Sequence, residues 1–541
     1  MFKKISKQTY LLLTILIIAS FFRLYNLNGM NSAPPGLYPD EAMNGNNASE
    51  ALDTAPPAGG FKIFYPENNG REGLFINIQA VSIKIFGNTP LALRLPSAII
   101  GILTVLGIYL FGAALFNNAS IGLLSAFFTA ISFWHINFSR IGFRAIMAPF
   151  FLVWALYLLI LAIRKNNTIN KPLRADNPSW LLSAFAGLIY GAGFYSYIAY
   201  RATPLLIFII FLVYYFKSRA SVIARPARLK DFSRSGGSPR RGNLDVLEVF
   251  RIFALFTFIA ILPLTAYFIQ NPQDFLGHAT QLSISNSASP LKDLGVNILK
   301  TAGMFNFAGD TNWRHNFAGK PELYWPIGIL FLIGVASVFK ISKYPPIKIF
   351  NFKFPKLGIG NWELGILLAW LVIAAIPVVI SNEGIPHALR SILIIPPVFI
   401  LTGVGAFKIY ELLINKIPDF YHKHDKFIKN SFILLSTCLI IQTYNYYFLE
   451  WGQNPNVRSA FNQNYVDIGK MLNALPKETI KYIVVENSDV KVRGIPMPAQ
   501  TVMFITDTFT TKKQVEKNIH YLLPGQEKDR SENNALFFYL K

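Results

Sequence analysis

The sequence predicts an all-α polytopic membrane protein of about 11 transmembrane helices, with a small α/β domain at its C-terminal end. Three observations predict it. Of 541 residues, 52% are hydrophobic and only 15% charged, against about 25% charged in soluble domains, and the mean hydropathy is +0.36. The apolar residues form runs near the ~20 residues that a spanning helix needs. Basic residues fall in every second loop between those runs, as the positive-inside rule requires. A net charge of +22 placed in this way belongs to membrane topology and not to a nucleic-acid surface. The single cysteine, Cys438, lies inside an apolar run, which excludes an intramolecular disulfide and a Cys-rich metal site.

Taken in order, spans are predicted at 9–25, 93–115, 119–138, 146–164, 180–199, 202–217, 250–269, 324–340, 364–381, 390–410 and 431–449. The shorter run 74–87 carries Gln79 and Lys84 and predicts an interfacial amphipathic helix. Lys3, Lys4 and Lys7 precede the first run, which lacks an A-x-A-like cleavage site and reads as a retained anchor with its N-terminus inside. The loops holding Arg164 to Arg174, Lys217 to Arg241, Lys340 to Lys356 and Lys408 to Lys429 then fall inside. The stretch 218–248, with its Ser-Arg-Ser-Gly-Gly-Ser run, reads as a flexible basic linker near anionic lipid.

Three segments fall outside on this topology: the acidic loop 26–92, the loop 270–322 and the tail 450–541. Residues 1–449 are accordingly expected to form the transmembrane domain and 450–541 a separate one. In the tail, Tyr482-Ile-Val-Val-Glu486 and Thr501-Val-Met-Phe-Ile505 alternate and predict strands, and 463–475 predicts a helix.

The candidate chemistry lies in charges that the topology does not favour. Arg94, Arg140, Arg144, Arg201 and Arg390 sit at short external turns that use arginine and no lysine. A guanidinium presents a planar fork that fits phosphate oxygens. Several converging on one face would bind a lipid phosphate, whereas singly each would snorkel to the interface. In Tyr38-Pro-Asp-Glu-Ala42, Asp40 could take a proton from a hydroxyl within hydrogen-bond reach. Equally, Pro39 followed by two acids is a favoured helix start. Gly309-Asp-Thr-Asn-Trp-Arg-His-Asn316 supplies Asp310, Trp313, Arg314, His315 and Asn316, which suit a sugar or its phosphate or else the loop's own hydrogen bonds. His315 and His387 are possible metal ligands, but no paired spacing supports that, and hydrogen-bonding histidines are the stronger reading.

These residues resemble a family. Asp40-Glu41 in the first external loop, the run from Phe86-Gly to Ala92-Leu-Arg-Leu-Pro-Ser97, Ser139-Arg140 ending the third span, and a polytopic body with a small external domain are similar to the GT-C lipid-linked-sugar glycosyltransferases. The branch is that of the protein O-mannosyltransferases and aminoarabinose transferases (glycosyltransferase family 39-like). The resemblance covers roughly residues 5–450. It implies transfer of a sugar from a polyprenyl-phosphate donor to an acceptor hydroxyl at the outer face of a bacterial or archaeal cytoplasmic membrane. The acceptor is open between a protein, a glycolipid and a cell-envelope glycan. By the same resemblance Asp40 is the base with Glu41 beside it and the reaction inverts the anomeric carbon; by their placement Arg94, Arg140, Arg144, Arg201, His387 and Arg390 are expected to hold the donor phosphate. Where many relatives carry an acid, this chain reads Ile141-Gly-Phe-Arg-Ala-Ile-Met147, so no metal is carried over, and no cofactor is expected. The rival class is a transporter or lipid flippase, which would place charges or broken helices at mid-membrane, often in paired repeats. No repeat is evident.

Overall fold

The computed structural model describes residues 6–28, 32–53, 60–168, 178–223, 241–275, 283–339, 348–349, 352–353, 362–416, 418–486, 490–530 and 535–540. Most of the predicted basic linker, 224–240, lies outside the described residues. The helices of the body are α1 (Lys7–Leu24), α2 (Pro39–Asp53), α3 (Gly73–Phe86), α4 (Pro90–Phe116), α5 (Ala119–Ala130), α6 (Phe133–Arg140), α7 (Met147–Thr168), α8 (Pro178–Ala192), α9 (Thr203–Ile223), α10 (Arg241–Gln270), α11 (Pro290–Gly303), α12 (Trp325–Ala336), α13 (Trp362–Val379), α14 (Ile395–Lys416) and α15 (Pro418–Tyr444). Two short hairpins interrupt them, β1 (Phe64–Tyr65) with β2 (Arg71–Glu72) and β3 (Lys348–Ile349) with β4 (Phe352–Lys353).

Every predicted span coincides with a helix, but not all are long enough to cross. Eight helices among the described residues are long and apolar enough, and nine if α5 and α6, bent by 61° at their junction, are counted as one span. The segments predicted at 180–199 and 324–340 fold instead as the shorter helices α8 and α12. A bend inside lipid frees carbonyls that no water can satisfy. Here Arg23 supplies the donors: its guanidinium bonds the carbonyls of Thr129 and Ala130, each at 3.1 Å, and His135 Nδ1 at 2.7 Å. Ser132 then restarts the chain as α6 by accepting the amide of His135. An arginine in the first span is thus the condition for the break in the third.

The centre of the bundle is the span Ile392–Asn415, 83% of whose most apolar window is buried, whereas Val246–Gln270, at 11%, faces outward. In lipid the drive for such packing is close van der Waals contact, which small residues permit. A Cβ added to Gly334 of α12 would stand 1.9 Å from the Leu401 carbonyl oxygen, and one on Gly405 of α14 equally near that of Leu330. The two helices therefore touch backbone to backbone.

The predicted interfacial helix is α3, one residue from its expected bounds. Ile78, Val81 and Ile85 are exposed and Phe75, Ile76 and Ile83 buried. After α15 and a π-helical turn at Asn445–Trp451 come α16 (Pro455–Ala460) and α17 (Gln463–Ala474). The remaining elements are β5 (Lys481–Val485), the hairpin β6 (Lys491–Val492) and β7 (Ile495–Pro496), α18 (Ala499–Thr506), α19 (Thr511–Glu516), β8 (Ile519–Leu522) and β9 (Leu536–Leu540). Strand β5 lies between β8 and β9, parallel to both.

The strand expected at 501–505 is instead helix α18. Ala499 to Phe504 and Thr506 are buried all round, and a continuous buried apolar run carries no period that separates strand from helix. Asp507 in the left-handed conformation caps it. The tail also does not stand apart: Met43 of α2 belongs to its core, Asn46 donates to Gln500, and Thr501 donates to the Leu37 carbonyl. Around this seam Arg493 forks onto Glu50 with two bonds of 2.8 Å and reaches Glu67 at 2.9 Å.

Candidate active site at the α2 end of the bundle

The adjacent acids Asp40 and Glu41 part company on α2. Glu41 is fully buried and grips Arg94 through both carboxylate oxygens, at 2.8 and 3.2 Å, while accepting the Gly142 amide at 2.9 Å. Arg94 spends its remaining reach on the carbonyls of Pro34 and Gly36, both at 2.8 Å. Gly142 is required there, because a Cβ would meet Glu41 Cγ at 2.9 Å.

Arg140 is sealed likewise. Its guanidinium bonds the carbonyls of Ala33, Phe22, Tyr25 and Asn26 and lies over the Phe448 ring at 5.0 Å. This corrects the sequence expectation for two arginines: Arg94 and Arg140, 1% and 0% exposed, point all three guanidinium nitrogens into protein and hold the first external loop to the bundle.

Asp40 faces the other way. It is half-buried and accepts Asn68 Nδ2 at 2.8 Å. Tyr38 lies between it and Arg314, whose guanidinium sits 3.9 Å from the Tyr38 ring centre. Burial pushes the Tyr38 hydroxyl up, the Asp40 charge adds to that, and Arg314 opposes it. Arg314 comes from the loop after α11, which Asn137 of α6 pins by donating to the carbonyls of Arg314 and His315.

Arg144 and Arg201 share one acid that sequence reasoning left among loop charges. Glu72, buried at the start of α3, takes Arg144 Nε at 2.8 Å and lies 3.8 Å from Arg201 Nη2. Beside it, Arg71 went unnoticed. It is buried, donates to Asn44 and Asn47 of α2 at 2.7 and 2.5 Å, and its Nε has no partner among the described residues. Burial and the Arg144 charge push it down to about 10, and Asp40 acts against them. The missed signal is a buried-type tripeptide, Arg71-Glu72-Gly73, opening an apolar helix.

Arg390 is half-buried, bonding Ser381 and the Glu383 carbonyl and lying 3.6 Å from the exposed Glu383 carboxylate. Its charge, with those of Arg144 and Glu72, acts on Tyr197. Asp310 ties this segment to the Arg314 loop. Its Oδ2 accepts the Ala388 amide at 2.8 Å and His315 Nδ1 at 3.0 Å, and stands 3.8 Å from His387 Nδ1. Burial, His315 and Arg390 push His387 down to about 3, and burial lowers His315 as well. Burial opposes the Asp310 charge, but the His315 hydrogen bond, both rings and the Asn312 amide outweigh it and hold the carboxyl low. One carboxylate oxygen and a nitrogen of each ring lie within 4.8 Å of one another, the one such group among the described residues that could hold a metal.

Two of the predicted loop residues serve the loop itself. Asn316 donates to the Lys320 carbonyl at 2.6 Å, and Trp313 packs on Phe317. A cavity of about 330 Å³ is lined by Asn316, Glu322 and Tyr446, and Glu322 accepts the Asp310 amide at 3.1 Å, while one of about 300 Å³ lies beside Lys408.

One electrostatically connected set therefore runs from Asp40 through Arg71, Glu72 and Arg144 to Arg390, His387 and back by Arg314. It sits where α7 and α9 begin. Lys165, in the last turn of α7, lies about 27 Å from the start of that helix at 1.5 Å per residue.

Residues 74–225 match the family model of the dolichyl-phosphate-mannose-protein mannosyltransferases. The fold is that of the archaeal oligosaccharyltransferase AglB from Archaeoglobus fulgidus, solved in complex with an inhibitory peptide and a dolichol-phosphate. The TM-score is 0.50 at 14% identity, covering 92% of this chain and 63% of that one. ArnT from Cupriavidus metallidurans, bound to undecaprenyl phosphate, covers 92% of this chain and 84% of its own at 14% identity, but its TM-score of 0.45 is too loose to argue from. No match was found among curated protein sequences. In fold, and over residues 74–225 in sequence, the chain resembles the GT-C glycosyltransferases of mannosyltransferase type. It spans just under two thirds of the AglB chain.

Proposed function

We propose that the protein is a membrane glycosyltransferase that moves a sugar from a polyprenyl-phosphate donor to an acceptor hydroxyl at the outer face of the membrane. The observation that supports this best is the gathering of a half-buried carboxylate, Asp40, with Arg314, Arg144, Arg201 and Arg390, brought from four separate turns to one end of the bundle. Asp40 takes the proton of the acceptor hydroxyl. The freed oxygen attacks the anomeric carbon, the bond from that carbon to the phosphate oxygen breaks, and the phosphate leaves with the electron pair. Attack opposite the leaving group inverts the anomeric centre. Charge grows on the phosphate in an oxocarbenium-like transition state, and preplaced guanidinium groups stabilise it without reorganising. Arg94, Arg140 and Glu41 act here as positioning residues. The same reading takes 1–449 as the catalytic membrane domain, and 450–541 as an external domain seated on α2.

The test is incubation of purified protein with polyprenyl-phosphate hexoses and a panel of acceptors. Asp40→Asn is expected to lose about 10²–10⁴-fold in transfer, the usual worth of a positioned base, while melting as the parent does. Unchanged turnover in that variant removes the base assignment. Transport of the donor without transfer would instead favour a flippase.

A further inference from the structure

We infer that Asp310, His315 and His387 form a binding site for one divalent transition ion of the Zn²⁺ or Mn²⁺ kind, and that its open position takes a phosphate oxygen held between Arg314 and Arg390. The second half rests on the lipid-phosphate reading above; the first does not.

His387 Nδ1 accepts the backbone N–H of Arg390 at 3.4 Å. The same nitrogen stands 3.8 Å from Asp310 Oδ2, too far for a direct hydrogen bond, which leaves a gap between nitrogen and carboxylate oxygen. His315 approaches the same oxygen at 3.0 Å, and the two imidazole rings lie 4.8 Å apart, tilted by 32°. A cation in that gap would draw on the carboxylate and on both rings. Tetrahedral zinc with ligand bonds of 2.0–2.1 Å sets its ligand atoms about 3.3 Å apart. The three atoms here fall within 4.8 Å, so an ion would draw them closer on binding.

The donor set fits as well. Two imidazoles with one carboxylate suit borderline divalent ions better than Mg²⁺ or Ca²⁺, which prefer oxygen ligands throughout. Asp310 is already oriented by two backbone amides, Asn312 on Oδ1 at 2.8 Å and Ala388 on Oδ2 at 2.8 Å, the outer-shell support that metal-bound carboxylates use. Three protein ligands leave a coordination position open. Around it Arg314 and Arg390 lie close enough for their charges to act on both rings. A dication beside two guanidinium groups is poorly tolerated unless an anion joins them. The site is thus complete only with a ligand such as a phosphate.

The experiment uses the full chain in detergent, stripped with chelator and titrated with Zn²⁺, with bound metal counted by elemental analysis and Co²⁺ substitution read from its visible d–d bands. One equivalent is expected in the parent. His387→Ala should bind at least tenfold more weakly while the metal-free proteins melt together, and His315→Ala, if it folds, should behave alike. Failure of the parent to bind a stoichiometric ion, or full binding by His387→Ala, overturns the site. Repeating the titration with undecaprenyl phosphate, and separately with inorganic phosphate, tests the open position. Linkage requires phosphate and metal to tighten each other's binding by the same factor. Tightening by the lipid alone indicates a headgroup site, and tightening by both a general phosphate site. Zn²⁺ binding indifferent to either leaves the metal centre standing and removes its phosphate partner.

Discussion

Two groups of arginines reach the same end of this bundle and meet different fates. Arg94 and Arg140 are enclosed, their nitrogens committed to Glu41 and to backbone carbonyls of the segment 22–36. Arg144, Arg201, Arg314 and Arg390 stay partly open, paired with Glu72, Asn312 or Glu383 or lying over aromatic rings. The contrast repeats at neighbouring positions of one helix, where Glu41 is sealed and Asp40 is not. The same residue type in the same short turns does structural work where carbonyls surround it, and remains free for a ligand where they do not.

The sharpest way to break this comparison is to remove one member of the sealed set. Glu41→Ala strands Arg94 as a buried unpaired charge, a loss worth 3–5 kcal/mol in comparable pairs, about the largest a single change produces. Melting in detergent should show it, and a variant that melts with the parent would erase the distinction. Asp40→Asn should do the reverse, with transfer down by the factor given above and the melt unmoved. Among the open arginines, Arg390→Ala should weaken binding of undecaprenyl phosphate by about 10–100-fold, the worth of one charged hydrogen bond, whereas Arg140→Lys should harm folding before it harms donor binding.

A gentler probe is pH. The fold holds His387 neutral, with its pKa about 3 against an ordinary value of 6.5. Below 6.5 the unfolded chain takes up a proton that the folded one refuses, so stability is lost as pH falls from 6.5 toward 3. His387→Gln should flatten that part of the melting profile, and an unchanged slope would move the effect to other groups. The smallest effect belongs to the seam around the tail. Arg493 is partly exposed, so Arg493→Ala should cost no more than ~1 kcal/mol despite its two acidic partners, measurable as a small shift in midpoint.

The spans were legible because hydropathy is a property of each segment alone. What Arg94 and Arg140 touch was not, because their partners lie in chain that is distant in sequence. Arg71 escaped for a related reason: only the return of α2 against β2 shows that Asn44 and Asn47 await it. His315 and His387 carry no ligand spacing because the fold, through Asp310 and the Ala388 amide, supplies the proximity. Helix α18 was misread because burial on every side erased the period that would have identified it.

The seating of α18 on α2 has a consequence for biosynthesis. Asn46 and Leu37 leave the ribosome 454 and 464 residues ahead of their partners Gln500 and Thr501. A nascent chain can be fully inserted in the bilayer while its acidic helix still waits for a lid that has yet to be made. Chains interrupted after α15 would therefore carry α2 without the contacts that seat it.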